Sequence, residues 1–149
     1  MSIPEIVLDT NVVLDLLLFA DPATPPLRKA LDEKQVQWIA TPVMREELKR
    51  VLAYPHIAAR MAFYERSAED ILKAFDAQTR IVEVSPKAPH TCTDPDDQKF
   101  IDLAFEHTAL LISKDKAVLK LKKRLAVHGV TVATHYGPVV AVGTTTSVT

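Results

Sequence analysis

The chain has 149 residues, with 18 basic and 19 acidic ones for a net charge of −1, and 48% of it is hydrophobic. That length suits one domain able to bury its own core, and the composition excludes a disordered or fibrous chain. The even charge balance excludes a broadly basic nucleic-acid-binding surface, so any such function has to rest on a local site.

In chain order, the first five residues carry no basic, cleavable leader. Residues 6–8, Ile-Val-Leu, read as a buried strand that stops abruptly at Asp9-Thr10-Asn11. A helical pattern follows over 12–19; its apolar run is interrupted by Asp15 and is too short to span a bilayer. Pro22, Pro25 and Pro26 mark a loop before a helix over 26–33. A weaker strand covers 37–40, with Trp38 expected in the core. Pro42 follows the capping residue Thr41 and opens a helix over 42–53, after which Pro55 breaks it. A helix over 68–78 and a weaker strand over 80–84 come next, then a connector holding Pro86 and Pro89. Pro95, after the capping Asp94, opens a helix over 95–107. Residues 109–112 read as a second buried strand, closed by Ser113-Lys114-Asp115 and followed by a helix over 116–126 and a weak strand over 130–133.

This alternation predicts an α/β fold with a central parallel sheet of four to five strands and helices on both faces. One domain over 1–136 is expected, with a flexible tail over 137–149. The single cysteine, Cys92, excludes an internal disulfide and reads as a plain thiol in a reducing compartment. A soluble, cytoplasmic protein with no membrane partner is the expectation.

The acidic residues carry the functional signal. On the helix after Pro95, Phe100, Ile101, Ala104 and Phe105 form the apolar stripe. Asp97 falls inside that stripe, where a carboxylate is costly unless paired or bound to a metal. Asp96 and Asp102 fall to its sides, in water. On the helix after Pro42, Val43, Met44, Leu48, Val51 and Leu52 make the stripe, and Glu47 lies within its arc while Glu46 faces solvent. Glu47 reads equally as a ligand and as a half-buried acid paired with an arginine. Asp9 and Asp115 each close a strand, where open parallel sheets bind ligands, and each also precedes a helix that it could cap. Together Asp9, Glu47, Asp97 and Asp115 fall on one edge of a right-handed βαβ sheet. Four converging carboxylates need cations, and Mg²⁺ or Mn²⁺ suits an all-oxygen site. Zinc does not suit it, because the five histidines show no ligand spacing and there is one cysteine.

These segments resemble the motifs of PIN-domain proteins. Ile6-Val7-Leu8-Asp9-Thr10-Asn11-Val12 resembles the opening motif, Glu46-Glu47-Leu48 the second acidic element, Asp94-Pro95-Asp96-Asp97-Gln98-Lys99-Phe100 the third, and Leu111-Ile112-Ser113-Lys114-Asp115-Lys116 the fourth. The resemblance runs from about residue 6 to 132. It implies an α/β/α sandwich and a Mg²⁺- or Mn²⁺-dependent ribonuclease with Asp9, Glu47, Asp97 and Asp115 as metal ligands. Asn11, Ser113 and Asp94 would support them. It also implies the toxin of a toxin–antitoxin pair, with an antitoxin partner and a homodimer. Departures are Lys114, where a small residue or arginine is common, and Ala117, where some members carry another acid.

For the RNA substrate, Lys114, Lys116 and Arg45 are candidate phosphate contacts. The run Lys120, Lys122, Lys123 and Arg124 reads as a solvated helix face, and Phe63 and Tyr64 as helix packing. Two rival functions stay open. One is an aspartyl-nucleophile phosphohydrolase using Asp9, though Asn11 stands where its second aspartate belongs. The other is a non-catalytic module stabilised by a metal.

Overall fold

The protein is described here by a computed structural model covering residues 3–137. The tail expected over 137–149 lies, apart from Gly137, outside the described residues. The strands are β1 (Glu5–Leu8), β2 (Gln37–Ala40), β3 (Thr79–Ile81), β4 (Leu110–Ile112) and β5 (Val132–Ala133). The helices are α1 (Thr10–Leu14), α2 (Pro25–Asp32), α3 (Pro42–Leu52), α4 (Pro55–Phe63), α5 (Ala68–Gln78), α6 (Gln98–His107), α7 (Lys116–Leu119) and α8 (Lys122–Ala126).

All five strands pair in parallel, in the order β3-β2-β1-β4-β5, and helices flank the sheet in an α/β/α arrangement. Ile6, Val7 and Leu8 of β1 stand opposite Leu110, Leu111 and Ile112 of β4. Ile6 and Val7 point to opposite faces of the sheet and both are 0% exposed, so β1 is covered on both sides and can be apolar throughout. Trp38 of β2 is buried, meeting the Phe75 ring edge-on at 5.2 Å between centroids. From β1 the chain runs outward through β2 and β3, then returns to place β4 on the other side of β1. That reversal opens a crevice at the carboxyl ends of β1 and β4, the position where parallel α/β sheets take ligands.

Local chemistry sets the helix starts. Asp9 and Thr41 accept the Val12 and Met44 amides at 3.0 and 3.3 Å, and Ser67 and Asp70 form a reciprocal capping box. Prolines sit in the first turns of α2, α3 and α4.

Several boundaries differ from the sequence expectation. Pro55 does end one helix, but it also opens α4, which the pattern did not announce because only Ile57 and Met61 are buried. The helix expected over 12–19 relaxes into a π-helical turn at Asp15–Phe19, and the one over 95–107 begins as a 3₁₀ turn at Pro95–Asp97. The segment 116–126 is two short helices, α7 and α8. The strand expected over 80–84 lies earlier, and Val84 is 62% exposed. Val43 is also out of place as a core residue: it is 50% exposed, because the buried row of α3 is Met44, Leu48 and Leu52.

Candidate metal centre

The centre is built on the two adjacent strands β1 and β4. The backbone pairing continues one residue past β1, with the Asp9 amide donating to the Ile112 carbonyl at 3.2 Å. This holds Asp9 beside Ser113. One Asp9 oxygen caps α1 by accepting the Val12 amide, and the other accepts the Ser113 hydroxyl. Ser113, itself 0% exposed, also accepts the Asp115 amide at 3.1 Å. Asp115 Oδ1 in turn caps α7 through the Ala117 amide at 2.8 Å. Capping and site placement are therefore not alternatives: the caps are what fix Asp9 and Asp115 in orientation.

Asp97 enters from the 3₁₀ turn ahead of α6 and is buried, with its Oδ2 lacking a hydrogen-bond partner. Carboxylate oxygens of Asp94, Asp97 and Asp115 lie within 4.8 Å of one another. Desolvation first, then the shared contact with Asp115 and the charges of Asp115, Asp94 and Asp9, push the Asp97 carboxyl up to about 7. Burial also raises Asp9, against the lowering effect of its hydrogen bonds to Ser113 and Val12. A buried acid with an idle oxygen, crowded by like charges, fits an oxygen-preferring cation such as Mg²⁺ or Mn²⁺.

The other candidates fall into distinct positions. Glu47 comes from α3 to meet Lys99, whose Nζ is 2.5 Å from Oε1 but off the hydrogen-bonding direction, so the contact is an ion pair. The arginine partner considered for Glu47 is thus a lysine. Asn11 is exposed on α1. Lys114 pairs with Asp15, which holds its ammonium above the usual range, and Arg45 forms a two-pronged pair with Asp76 at 2.8 and 2.9 Å. Lys116 is exposed and has no ion-pair partner among the described residues.

Sequence reasoning gave Asp94 only a supporting place, because its capping of Asp96 at 3.0 Å is explanation enough for an acid before Pro95. It missed Lys99, whose partner is remote in sequence. It also set Asp102 in water, whereas Asp102 Oδ1 accepts from the Ala88 amide and from Gln98, both at 2.8 Å. Cys92 is buried close to the acids, and desolvation raises its thiol above the ordinary value, which disfavours the thiolate.

A doubly covered parallel sheet with an acidic crevice at its switch point defines the class: an α/β/α domain built to gather carboxylates at one edge. The model of the family described as the PIN domain matches residues 5–117, and the chain belongs to that family. PIN domains are generally nucleases. An uncharacterised protein of Methanocaldococcus jannaschii, MJ1680, is 28% identical over 123 residues, covering 79% of this chain and 75% of the relative. Among solved structures, VapBC2 from Rickettsia felis, bound to a DNA fragment from their promoter, has a similar fold. Its TM-score is 0.59 at 13% identity, over 86% of this chain and 96% of that one. No helix among the described residues is long and apolar enough to cross a membrane.

Proposed function

We propose that the chain is a Mg²⁺- or Mn²⁺-dependent endoribonuclease that hydrolyses RNA phosphodiester bonds at the crevice between β1 and β4. The observation that carries this reading is Asp97, buried with an unpartnered oxygen and crowded by Asp94 and Asp115 within 4.8 Å. Asp9, Asp97 and Asp115 are the proposed ligands, with Asp94 beside them, and Glu47 joins them when it gives up Lys99. A cation held there supplies water activation and offsets charge on the phosphodiester. The protein's own groups do the rest. Ser113 orients Asp9 and the loop carrying Asp115, and the exposed Lys116 next to Asp115 meets substrate phosphate. Lys114 can do the same on leaving Asp15.

The likeness to VapBC2 supports a further placement as the toxin of a toxin–antitoxin pair, bound by an antitoxin. A cytoplasmic homodimer completes the proposal and rests on the sequence reading alone. A phosphohydrolase nucleophile at Asp9 would need an oxygen open to in-line attack on phosphorus, whereas Asp9 is 3% exposed; a ligand needs only the second lone pair that each hydrogen-bonded oxygen keeps.

The test is cleavage of mixed single-stranded RNA by the purified protein with Mg²⁺ or Mn²⁺ and with EDTA, alongside folded Asp9→Asn and Asp97→Asn variants. Metal-dependent cleavage lost in both variants is the expected result. Metal-induced stabilisation without cleavage of any RNA would favour the non-catalytic module, and equal cleavage by all three proteins would overturn the site.

A further inference from the structure

Asp94 reaches the acidic cluster at the end of a connector, residues 82–94, that holds neither strand nor helix. Backbone polar groups in such a segment need partners if it is to keep one shape. Ala88 and Cys92 within it are 3% and 5% exposed, so it packs against the body of the protein.

The partners come from α6. Gln98 Nε2 donates to the His90 carbonyl at 3.0 Å and to Asp102 Oδ1 at 2.8 Å, while Gln98 Oε1 accepts the Cys92 amide at 2.6 Å. Asp102 Oδ1 also accepts the Ala88 amide at 2.8 Å. Gln98 thus spends both its donors and its acceptor on this arrangement. Turning its amide over would face oxygen against a carbonyl and a carboxylate, and NH₂ against an N–H, so one orientation is fixed. The anchored Cys92 amide lies just ahead of Asp94 in the chain. From Asp94 onward the turn is held by the Asp96 amide to Asp94 Oδ1, the Asp97 amide to the Asp94 carbonyl at 3.1 Å and the Lys99 ammonium to the Asp96 carbonyl. Those bonds hold the turn on α6, while the chain that enters it at Asp94 is held by Gln98.

We propose that Gln98 is a positioning residue for the cation site: braced by Asp102, it clamps the connector to α6 and thereby sets Asp94 beside Asp97 and Asp115. Gln98 acts through Asp94 and contacts neither cation nor substrate. The inference rests on the cation reading of the preceding subsection.

The experiment is calorimetric Mn²⁺ binding to the full chain for wild type, Gln98→Leu, Asp94→Asn and the double variant, with circular dichroism as the folding control. Gln98→Leu is expected to weaken Mn²⁺ binding about 10-fold, the lower end of what losing an outer-shell partner costs. In the Asp94→Asn background the same change is expected to cost nothing more, because the carboxylate that Gln98 positions beside the cation is already gone. A purely structural role would weaken both backgrounds alike. If Gln98→Leu does not fold, Gln98→Glu keeps the length and the acceptor for Cys92 while losing both donors, and should weaken binding in the same Asp94-dependent way. Wild-type affinity in the single variant, or fully additive losses in the double variant, would overturn the clamp while leaving the cation site standing. Absence of Mn²⁺ binding by wild type would overturn the cation site, and this inference with it.

Discussion

Lys99 carries its ammonium to Glu47, while the same nitrogen donates to the Asp96 carbonyl and lies 4.9 Å from the centre of the Phe100 ring. Glu47 and Lys99 are only 17% and 22% exposed, so the pair is partly desolvated and its attraction is stronger than that of a surface pair. The charges that raise the Asp97 carboxyl are those of Asp115, Asp94 and Asp9. The lysine therefore divides the acidic crevice into a neutralised Glu47 and an uncompensated group of aspartates.

It follows that Lys99 competes with a metal ion for Glu47. Lys99→Met is expected to tighten Mn²⁺ binding by about 3- to 10-fold, roughly 1 kcal/mol, because it adds a free carboxylate and removes a positive charge. Titration calorimetry at fixed ionic strength checks this. Weaker binding in the variant would show that the lysine organises the site instead of blocking it.

Asp97 makes the apo protein pH-sensitive. Its carboxyl titrates from the ordinary 3.8 when unfolded to about 7 when folded. Between those values the folded chain keeps a proton that the unfolded chain releases. Stability is therefore fullest below the unfolded value and falls as pH rises toward and through 7. Asp97→Asn removes this penalty. Without metal at pH 8 the variant should gain about 1–2 kcal/mol, or roughly 3–6 °C in Tm, and at pH 4 the gain should vanish. Saturating Mg²⁺ should reverse the order at pH 8, because only wild type has the full ligand set. Thermal melts at the two pH values, with and without Mg²⁺, decide it.

Ser113 couples the two strand ends. Ser113→Ala takes a hydroxyl from the buried Asp9 oxygen and an acceptor from the Asp115 amide. The expected cost is about 1–3 kcal/mol from the groups left unpaired. Because the lost bond favours charged Asp9, whose burial raises its titration, the loss should grow as pH rises through that titration. Urea unfolding across a pH series measures it, and a loss that does not change with pH would mean that the Ser113 hydroxyl does not favour the charged form.

The parts of this molecule visible in its sequence are those with local causes. Apolar β1 and β4 stop at polar residues because their ends face the crevice, and capping residues ahead of Pro42 and Pro95 mark helix starts. The inward turn expected for Asp97 agrees with its burial, although the residue sits on the 3₁₀ turn ahead of α6 and not on the helix itself. What stayed hidden has long-range causes. The Glu47–Lys99 pair forms only when α3 and α6 are brought to one edge. Asp102 has no reason to leave solvent until the connector supplies the Ala88 amide. Val43 fits an apolar helical stripe by spacing, yet at the open end of α3 nothing covers it. Helix α4 hides because two buried residues are too few to make a pattern.

Substrate affinity should depend on few basic residues, since the chain's net charge is −1 and several cations near the crevice are already paired. Arg45 is tied to Asp76 by two bonds, and such a planar, two-pronged pair is not readily given up. Lys114 must leave Asp15 before it can meet a phosphate. Lys116, exposed at the start of α7 and next to Asp115, has no such cost. Lys116→Ala is therefore expected to raise KM for a short single-stranded RNA several-fold with kcat nearly unchanged, and to lower the salt dependence of binding by about one counterion. Arg45→Ala should leave KM within about twofold, because a guanidinium held by Asp76 makes no phosphate contact to lose. Lys114→Ala should fall between the two. Steady-state kinetics across a salt series separates these outcomes. A drop in kcat for Lys116→Ala at unchanged KM would place that lysine on the transition state, where developing phosphate charge, not ground-state binding, is its target.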